Sequence, residues 1–557
     1  MSTAIAAKPL GRARRRLHNI IRPNVRVSPP PDGVTLERDV EVVVRDGTTL
    51  RVNVFRPTVG GVHPVLMSAH PYGKDYLPKR TRRGYRPFPN LRVLPQSAPF
   101  TISAWTGWEA PDPAYWVPRG YVVVNADLRG WGRSDGVGNL FWPQEGVDYH
   151  DLIEWAAGQP WSTGRVGLTG VSYLALSQWA AAATRPPHLA AICPWEGFTN
   201  LWDVARPGGV REDGLMVVWT HGTKRTKPEN PVDLRAQQKA RPRYDEWWDD
   251  RHASLDKIDV PALVCASFSD HNLHSQGSFD GFLGIASPHK WLYTHRGPKW
   301  AEYYGPDGLA AQTRFFDHFL KGDANGQLSV PPVRLEVRSD ADTVTSVRHE
   351  QQWPPAATAW TRLHLHPDGW LDLDPPRNAA RTAFRTRGRG LTYTHRFHSD
   401  TEITGPMRLR LPVEVEGGGD VSLFVGIRKL RNGRPVAFES AYGFRGALVT
   451  HGIRKASHHF TDADGGPRDD IAESLDPGQV VGLTIDLLPS ATLFRAEEQL
   501  QLTIRGTWFY ARNPLTGQFP AYYEKSPRGR CALHLGPTAG GYLDVPIQPG
   551  STQVLEK

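Results

Sequence analysis

The chain has 557 residues, of which 39% are hydrophobic and 10% aromatic, and it carries a formal net charge of +9. This length is too great for one hydrophobic core, so we expect two or three domains. No apolar run approaches the roughly 20 residues needed to cross a bilayer, and we find no internal repeat or low-complexity stretch.

Most of the net charge lies at the N-terminus, where residues 1–26 hold seven basic side chains and no acid. The remainder of the chain is close to neutral, so we predict a basic, disordered tail over residues 1–30 and no binding to nucleic acid or membrane. "LHNIIRPN" is too short and too polar for a secretory signal, although an acid-free basic arm is also typical of organelle transit peptides. The three cysteines are too far apart to indicate a disulfide framework or a metal site. We therefore expect a cytoplasmic protein.

The first part of the chain alternates short apolar runs with helical patterns. The runs include "HPVLMSAHPYG", "YVVVNADLRGWG", "RVGLTGVSY", "PALVCASFSD" and "HKWLYTH". Nearly continuous apolar strands separated by helices predict a parallel sheet that is buried on both faces. Residues 197–254 contain no clear strand and are interpreted as an inserted helical cap. The α/β core is therefore predicted over residues 31–196 and 255–326.

The pattern changes near residue 330. Alternating stretches such as "VRLEVRS", "VSLFVGIRKL" and "LQLTIRG" follow, and glycine and proline separate them. This alternation is typical of a β-sandwich. We predict an all-β C-terminal domain over residues 327–557.

Ser172 follows an apolar strand and precedes a helical pattern in "VGLTGVSYLALSQWAAA". A serine at such a turn is typical of the nucleophile elbow of α/β-hydrolases, although Leu174 replaces the usual second glycine. The helix that follows offers its first backbone N–H groups to a developing oxyanion. We predict that Ser172 is the nucleophile.

A serine nucleophile needs a base, and the base needs an acid that orients it. In this fold the chain order is serine, acid, histidine, and functional side chains follow the carboxyl ends of strands. Asp270 ends "PALVCASFSD" and His295 ends "HKWLYTH", so we predict these two as acid and base. The competing residues are His271, His274 and Asp280.

The loop in "AHPYG" lies where α/β-hydrolases supply an oxyanion donor. Tyr72 offers a phenol there, and a buried packing role is the alternative. Two acids, Glu196 and Asp203, are candidates for reading a substrate amino group, with solvated or arginine-paired acids as the alternative. Two tryptophan-rich stretches, 105–116 with Trp105 and Trp108, and 219–248, are candidates for lining an apolar substrate pocket, with core packing an equal explanation.

The motifs "HPYGK", "ADLRGWGRSDG", "GVSYL" and "LLPSATLFRAEEQLQLTIRG" resemble those of the X-prolyl dipeptidyl-peptidase and cocaine esterase group, the CocE/NonD hydrolases. The resemblance covers residues 34–550. It implies an α/β-hydrolase core with an inserted helical cap and a C-terminal all-β jelly-roll sandwich. It also implies a triad of Ser172, Asp270 and His295, with an oxyanion hole formed by the Tyr72 hydroxyl and the Tyr173 N–H.

The sequence departs from the family pattern in two places. Ala175 stands where relatives have the glycine of S-Y-x-G. The G-P-W-x-H segment around the family's histidine is replaced by "THRGPKWAEYY", so His295 precedes Gly297 and Pro298.

We predict a serine hydrolase that cleaves an ester with a small apolar or aromatic acyl group and needs no cofactor or metal. An X-Pro dipeptidyl-peptidase or α-amino-acid ester or amide hydrolase is the alternative, followed by a non-catalytic ligand-binding protein. The expected partner is a small ester or short peptide substrate, and self-association into a homo-oligomer is left open.

Overall fold

The computed structural model describes residues 9–96, 98–141, 143–226, 232–440, 443–513, 518, 520–538 and 540–549. Its α-helices are α1 (Pro9–Ile21), α2 (Pro89–Val93), α3 (Pro113–Trp116), α4 (Pro143–Ala157), α5 (Tyr173–Ala183), α6 (Leu201–Ala205), α7 (Leu215–Thr226), α8 (Leu234–Ala240), α9 (Glu246–Asp249), α10 (Ser275–Gly284), α11 (Lys299–Tyr303) and α12 (Pro306–Phe316).

The first twelve strands are β1 (Val25–Ser28), β2 (Val34–Val43), β3 (Thr49–Pro57), β4 (His63–His70), β5 (Lys79–Thr81), β6 (Gly84–Arg86), β7 (Phe100–Ser103), β8 (Val122–Asp127), β9 (Ser162–Val171), β10 (Leu189–Trp195), β11 (Ala262–Ser267) and β12 (Lys290–His295). The later strands are β13 (Val333–Arg338), β14 (Val344–Glu350), β15 (Ala359–Leu365), β16 (Leu371–Asp372), β17 (Ala380–Arg385), β18 (Leu391–Arg396), β19 (Thr401–Val415), β20 (Ser422–Arg431), β21 (Arg434–Pro435), β22 (Leu448–Lys455), β23 (Val480–Phe494), β24 (Gln499–Arg505), β25 (Arg530–Leu535) and β26 (Tyr542–Ile547).

A mixed sheet forms the centre of the first domain, with strand order β2-β3-β8-β4-β9-β10-β11-β12-β13-β14. The run from β8 to β13 is parallel, and its middle strands are buried almost throughout. Apolar side chains cover both faces, which is why these strands read as continuous apolar runs. The predicted α/β-hydrolase fold class is confirmed.

The segment between β10 and β11 contains α6 to α9 and corresponds to the predicted cap insertion. Its helices enclose a small apolar cluster of their own, which includes Leu201, Trp202 and Trp248. The cap also contacts the C-terminal domain, because the Asp213 N–H donates to the Tyr522 carbonyl. This bond ties the cap to the C-terminal domain.

The C-terminal domain consists of two antiparallel sheets that face each other across an apolar core. One sheet contains β18, β24, β20, β21 and β22, and the other is built around the long strand β19, which pairs with β23, β25 and β26. The predicted β-sandwich is thus observed. The central sheet of the first domain runs on into β13 and β14, so the two domains share a hydrogen-bonded edge.

The prediction of a disordered N-terminal tail is wrong for residues 9–28. Helix α1 packs on α2, and β1 pairs in parallel with β7. Arg16 is buried with its guanidinium over the ring of Phe444, and the Asn19 amide donates to the Leu91 carbonyl. These contacts give the arginine-rich segment intramolecular partners that its composition alone did not indicate. Residues 1–8 lie outside the described residues.

None of the helices in the described part of the chain has both the length and the apolar character that crossing a bilayer requires.

Candidate active site

Ser172 lies at a sharp turn between β9 and α5, as the sequence predicted. Its backbone is left-handed, with φ 62° and ψ −117°, a conformation that a non-glycine residue adopts only when its surroundings enforce it. A Cβ on Gly170 would lie 2.5 Å from the Leu174 Cβ, so the glycine before the turn allows the leucine that replaces the motif's second glycine. Ala175, which stands in place of the glycine of S-Y-x-G, also has space for its methyl group because Gly197 lies against it. A Cβ on Gly197 would lie 2.7 Å from the Ala175 Cβ.

The imidazole that reaches Ser172 is that of His274. The Ser172 Oγ and His274 Nε2 are 3.1 Å apart, and His274 Nδ1 lies 2.5 Å from Asp270 Oδ2. The chain after β11 turns tightly, and the His274 N–H donates to the Asp270 carbonyl, which folds the imidazole back onto the carboxylate. This serine–imidazole–carboxylate chain has the geometry of a catalytic triad.

The prediction that His295 is the base must be corrected to His274. His295 is fully buried at the end of β12, its Nε2 lies 3.1 Å from Glu196 Oε1, and its Nδ1 accepts from the Gly297 N–H. Both ring nitrogens are thus engaged within the protein, away from the serine. The other nearby histidine, His271, bonds the carbonyl of Pro489 instead.

Lys299 adds a buried cation to the acid–base pair. Its Nζ lies 2.5 Å from Asp270 Oδ2, 2.7 Å from His274 Nδ1 and 3.9 Å from Glu196 Oε2. It is the first residue of α11, which follows β12. Burial alone would raise the pKa of Asp270, but the charges of Lys299 and His274 hold that pKa well below its usual range. Burial and the neighbouring ammonium lower the pKa of His274.

Glu196, Asp270 and His274 bring three potential ligand atoms within 4.8 Å of one another, an arrangement that could hold a metal ion. In this structure the Lys299 ammonium lies among these groups and supplies the cation. The cluster therefore has a charge partner of its own.

Two groups could donate to an oxyanion beside Ser172. The side chains of Ser172 and Trp219 lie beside the Tyr72 phenol and act to lower its pKa, against the larger effect of burial. Burial raises the pKa of Tyr72 far above its usual range, so the phenol keeps its proton. The Tyr173 N–H begins α5, where a helix has no intrahelical acceptor for it. The structure thus brings both predicted oxyanion donors next to the serine.

A cavity of about 290 Å³ opens at the serine. Its wall is mainly apolar and comes from all parts of the fold: α2, the loop that contains Trp108, the cap helix α7 and the C-terminal domain. Ser172, His274 and Lys299 supply polar groups at the base, and Trp108, Trp219 and Phe198 are among the aromatic lining residues. The arrangement suits a small, mostly apolar molecule with one reactive polar bond.

The three predicted substrate-contacting residues have different positions. Trp108 lines the cavity, as expected. Trp105 packs against Phe55 outside it, so the prediction for Trp105 is wrong. Glu196 is also outside the lining, because it contacts His295 and accepts from the Ser267 hydroxyl.

Glu109 is a functional candidate that the sequence reasoning missed. It lines the cavity, is only 4% exposed and follows Trp108 directly. The available signal was an acid inside the tryptophan-rich stretch "SAWTGWEAP". Its burial depends on packing between distant segments, which a local pattern does not reveal.

Comparison with known proteins agrees with the fold and the site. Family models for the X-Pro dipeptidyl-peptidase S15 family and for the X-Pro dipeptidyl-peptidase C-terminal non-catalytic domain match residues 46–298 and 325–544. The crystal structure of a CocE/NonD family hydrolase from Staphylococcus aureus is 35% identical, with 92% of this chain and 94% of that chain covered and a TM-score of 0.88.

Two curated relatives are more distant in sequence. Cocaine esterase from Rhodococcus sp. strain MB1 Bresler is 23% identical, over 91% of this chain and 98% of the relative. Xaa-Pro dipeptidyl-peptidase from Lacticaseibacillus casei is 26% identical, over 44% of this chain and 36% of the relative. Fold, site and matches together define a serine hydrolase. The chain belongs to the CocE/NonD family, the group of X-prolyl dipeptidyl-peptidases and cocaine esterase.

Proposed function

We propose that the protein hydrolyses a small, mainly apolar ester through an acyl-enzyme formed on Ser172. The observation that carries the proposal is the hydrogen-bonded chain from Ser172 through His274 to Asp270, which opens on an apolar cavity. A serine alcohol becomes a nucleophile only when such a base removes its proton.

The reaction follows from the positions of these groups. His274 Nε2 takes the Ser172 proton as Oγ attacks the ester carbonyl, and the Asp270 carboxylate stabilises the imidazolium. The Tyr72 phenol and the Tyr173 N–H donate to the oxyanion. His274 then protonates the leaving alcohol, and water repeats the sequence to release the acid.

Lys299 has a positioning role in this proposal. Its ammonium keeps Asp270 ionised and lowers the pKa of His274, so the imidazole is neutral and able to accept a proton before the reaction begins. The same charge opposes the imidazolium that forms later. Asp270 Oδ2 lies 2.5 Å from both Lys299 Nζ and His274 Nδ1, so the carboxylate that pairs with the ammonium also attracts the imidazolium.

Labelling with a fluorophosphonate probe and assays of p-nitrophenyl esters test the proposal. The wild-type protein should be labelled and active, and Ser172→Ala should lose both properties while its melting temperature stays unchanged. Ester turnover at the wild-type rate in Ser172→Ala would refute it. The matched control is Ser177→Ala, a serine on the same helix whose hydroxyl bonds the Ala69 carbonyl.

An X-Pro dipeptidyl-peptidase is the second candidate, and the cavity-lining carboxyl of Glu109 is the observation that favours it. A peptidase of this kind must recognise a free amino group, which a carboxylate can do. Assays of X-Pro-p-nitroanilides beside the esters separate the two. Faster turnover of the anilides would replace the first proposal by the second.

We further propose a cytoplasmic location, supported by three free, buried cysteines, Cys193, Cys265 and Cys531. Fractionation of the source cells tests it, since recovery of the protein outside the cytoplasmic fraction would contradict it.

The proposal that no nucleic acid binds is supported by Arg15 and Arg16, which contact Glu439 and Phe444 within the chain. An electrophoretic shift with duplex DNA at low salt would contradict that proposal.

A further inference from the structure

Glu109 lines the cavity beside the serine and carries an unsatisfied polar atom. Its Oε1 accepts from the Trp300 indole N–H at 3.0 Å, while its buried Oε2 has no hydrogen-bond partner. A buried oxygen without a hydrogen-bond partner destabilises a fold, so such an oxygen on a cavity-lining side chain points to a group that a ligand satisfies.

The backbone holds this side chain firmly next to the serine. Glu109 is left-handed, with φ 65°, and its carbonyl accepts from the Val171 N–H, one residue before Ser172. Strained residues of this kind persist where surrounding contacts enforce them, and they are frequent at ligand sites. Glu109 is therefore placed by the same turn that places the nucleophile.

Burial, together with two nearby acids, favours the protonated carboxyl of Glu109. The Lys299 ammonium contacts Asp270 and Glu196, while none of the ion pairs formed by the described residues includes Glu109. Glu196 and Asp270 add negative charge nearby. Burial raises the pKa of Glu109 to about 8, even though Lys299 and the Trp300 indole act in the opposite direction. Near neutral pH the carboxyl is mostly uncharged and can donate a hydrogen bond.

We infer that Glu109 is a substrate-binding residue whose carboxyl donates a hydrogen bond through Oε2 to an uncharged oxygen of the substrate. The inference rests on the proposed function and narrows its substrate class. The preferred substrates are small esters that carry a second oxygen acceptor, such as an ether, a ketone or another ester carbonyl. In an otherwise apolar cavity, one such contact fixes the orientation of the scissile carbonyl at Ser172.

A cationic substrate fits this cavity less well. An ammonium group would need an ionised Glu109, and it would enter a cavity that Lys299 already lines with a positive charge. Glu196, which the sequence suggested as the carboxylate that binds a substrate amino group, contacts His295 and does not line the cavity.

Esters matched in size test the inference. The p-nitrophenyl esters of butanoate, methoxyacetate and 3-aminopropanoate have the same number of heavy atoms. Methoxyacetate has oxygen in place of C3 of butanoate, and 3-aminopropanoate has nitrogen in place of C4. Pentanoate and 3-methoxypropanoate form a second pair, with the ether oxygen one atom further from the carbonyl. The measured quantity is kcat/KM at pH 7 for the wild type, Glu109→Gln and Glu109→Met. For each pair of esters, the kcat/KM of the ether ester is divided by the kcat/KM of the hydrocarbon ester. The ratio for each protein is then divided by the ratio for Glu109→Met, and this second division cancels the intrinsic reactivity of the esters.

We expect an ether preference about tenfold greater in the wild type than in Glu109→Met, for the pair whose oxygen reaches the carboxyl. Glu109→Gln should keep this preference, because its amide also donates. Glu145→Gln is the control, since Glu145 is a buried carboxyl outside the cavity lining whose pKa is also raised to about 8. The control should leave the ratios unchanged.

Two results would overturn the inference. One is an equal ether preference in the wild type and Glu109→Met for both pairs. The other is a wild-type preference for the aminopropanoate ester that Glu109→Gln abolishes, because only an ionised carboxylate explains it. If Glu109→Met does not fold, comparison of the wild type with Glu109→Gln on the aminopropanoate and ether esters still decides between donor and anion. Failure of the proposed function is recognised separately, as ester turnover that Ser172→Ala retains.

Discussion

Two buried histidine–carboxylate pairs lie at the ends of neighbouring strands, and only one of them is built for catalysis. His274 follows β11 and pairs with Asp270, while His295 ends β12 and pairs with Glu196. All four side chains are almost completely buried. The pairs differ in what the second ring nitrogen contacts: His274 Nε2 meets the Ser172 hydroxyl, whereas His295 Nδ1 accepts a backbone N–H.

The comparison shows that a histidine at a strand end is not by itself a catalytic base. A base needs one nitrogen held by an acid and the other directed at the nucleophile. The tight turn after Asp270 provides this arrangement. The straight end of β12 leaves His295 within the protein interior, where it helps to bury Glu196.

The largest expected effect separates the two histidines directly. His274→Ala should lower kcat by at least about 10⁴-fold, because members of a triad act as a unit. His295→Gln should keep kcat within about tenfold. Steady-state assays of p-nitrophenyl butanoate measure both. Intact turnover in His274→Ala, with loss of activity in a folded His295→Gln, would reverse the assignment.

A smaller effect is expected at Tyr72, whose phenol lies beside Ser172, the serine that His274 contacts. Tyr72→Phe removes one donor to the oxyanion and keeps the ring, so kcat should fall by about 10²–10³. KM should change little, because the ground-state carbonyl depends less on that donor. Measurement of kcat, KM and melting temperature distinguishes this from packing, which predicts normal kcat in Tyr72→Phe and damage only in Tyr72→Ala.

The cation beside the first pair gives a pH-dependent prediction. His274 must be neutral to act as the base, so activity is lost as the pH falls through its pKa. Burial and Lys299 lower that pKa, so Lys299→Met should raise it and move the acid limb of kcat/KM to higher pH. Asp270 and Glu196, the acids that face His274, remain in the variant and also act to raise the pKa of His274.

A purely structural role for Lys299 predicts a lower melting temperature with an unmoved acid limb. The matched control is Lys79→Met, an exposed lysine on the β5–β6 hairpin, which should leave the pH profile unchanged. An unmoved limb in a folded Lys299→Met would contradict the positioning role.

The smallest effect concerns the second pair, which we expect to affect stability rather than chemistry. His295→Gln should lower the free energy of unfolding by about 1–3 kcal/mol, because Glu196 loses part of a buried contact. Chemical denaturation measures this change, with kcat as the parallel readout. An unaltered unfolding free energy would show that the pair contributes nothing to the fold.

Features made of consecutive residues could be predicted from the sequence. The elbow at Ser172 is one, because a strand, one residue in a strained turn and a helix follow each other directly, and Asp270 is another because it comes after a buried strand. The parallel sheet and the β-sandwich were also predictable from the period of their apolar residues.

Only the tertiary structure decided between His274 and His295, since both follow strands and the choice depends on how the turn folds and on where Glu196 lies. The tertiary structure also decided the burial of Glu109. It decided the docking of residues 9–28 as well, a segment whose local composition had suggested exposure. These features arise from contacts between segments far apart in the chain, and such contacts leave no periodic or local signal in the sequence. The physical reason is that a pKa, a cavity wall or a buried oxygen belongs to a set of neighbours, and folding alone brings those neighbours together.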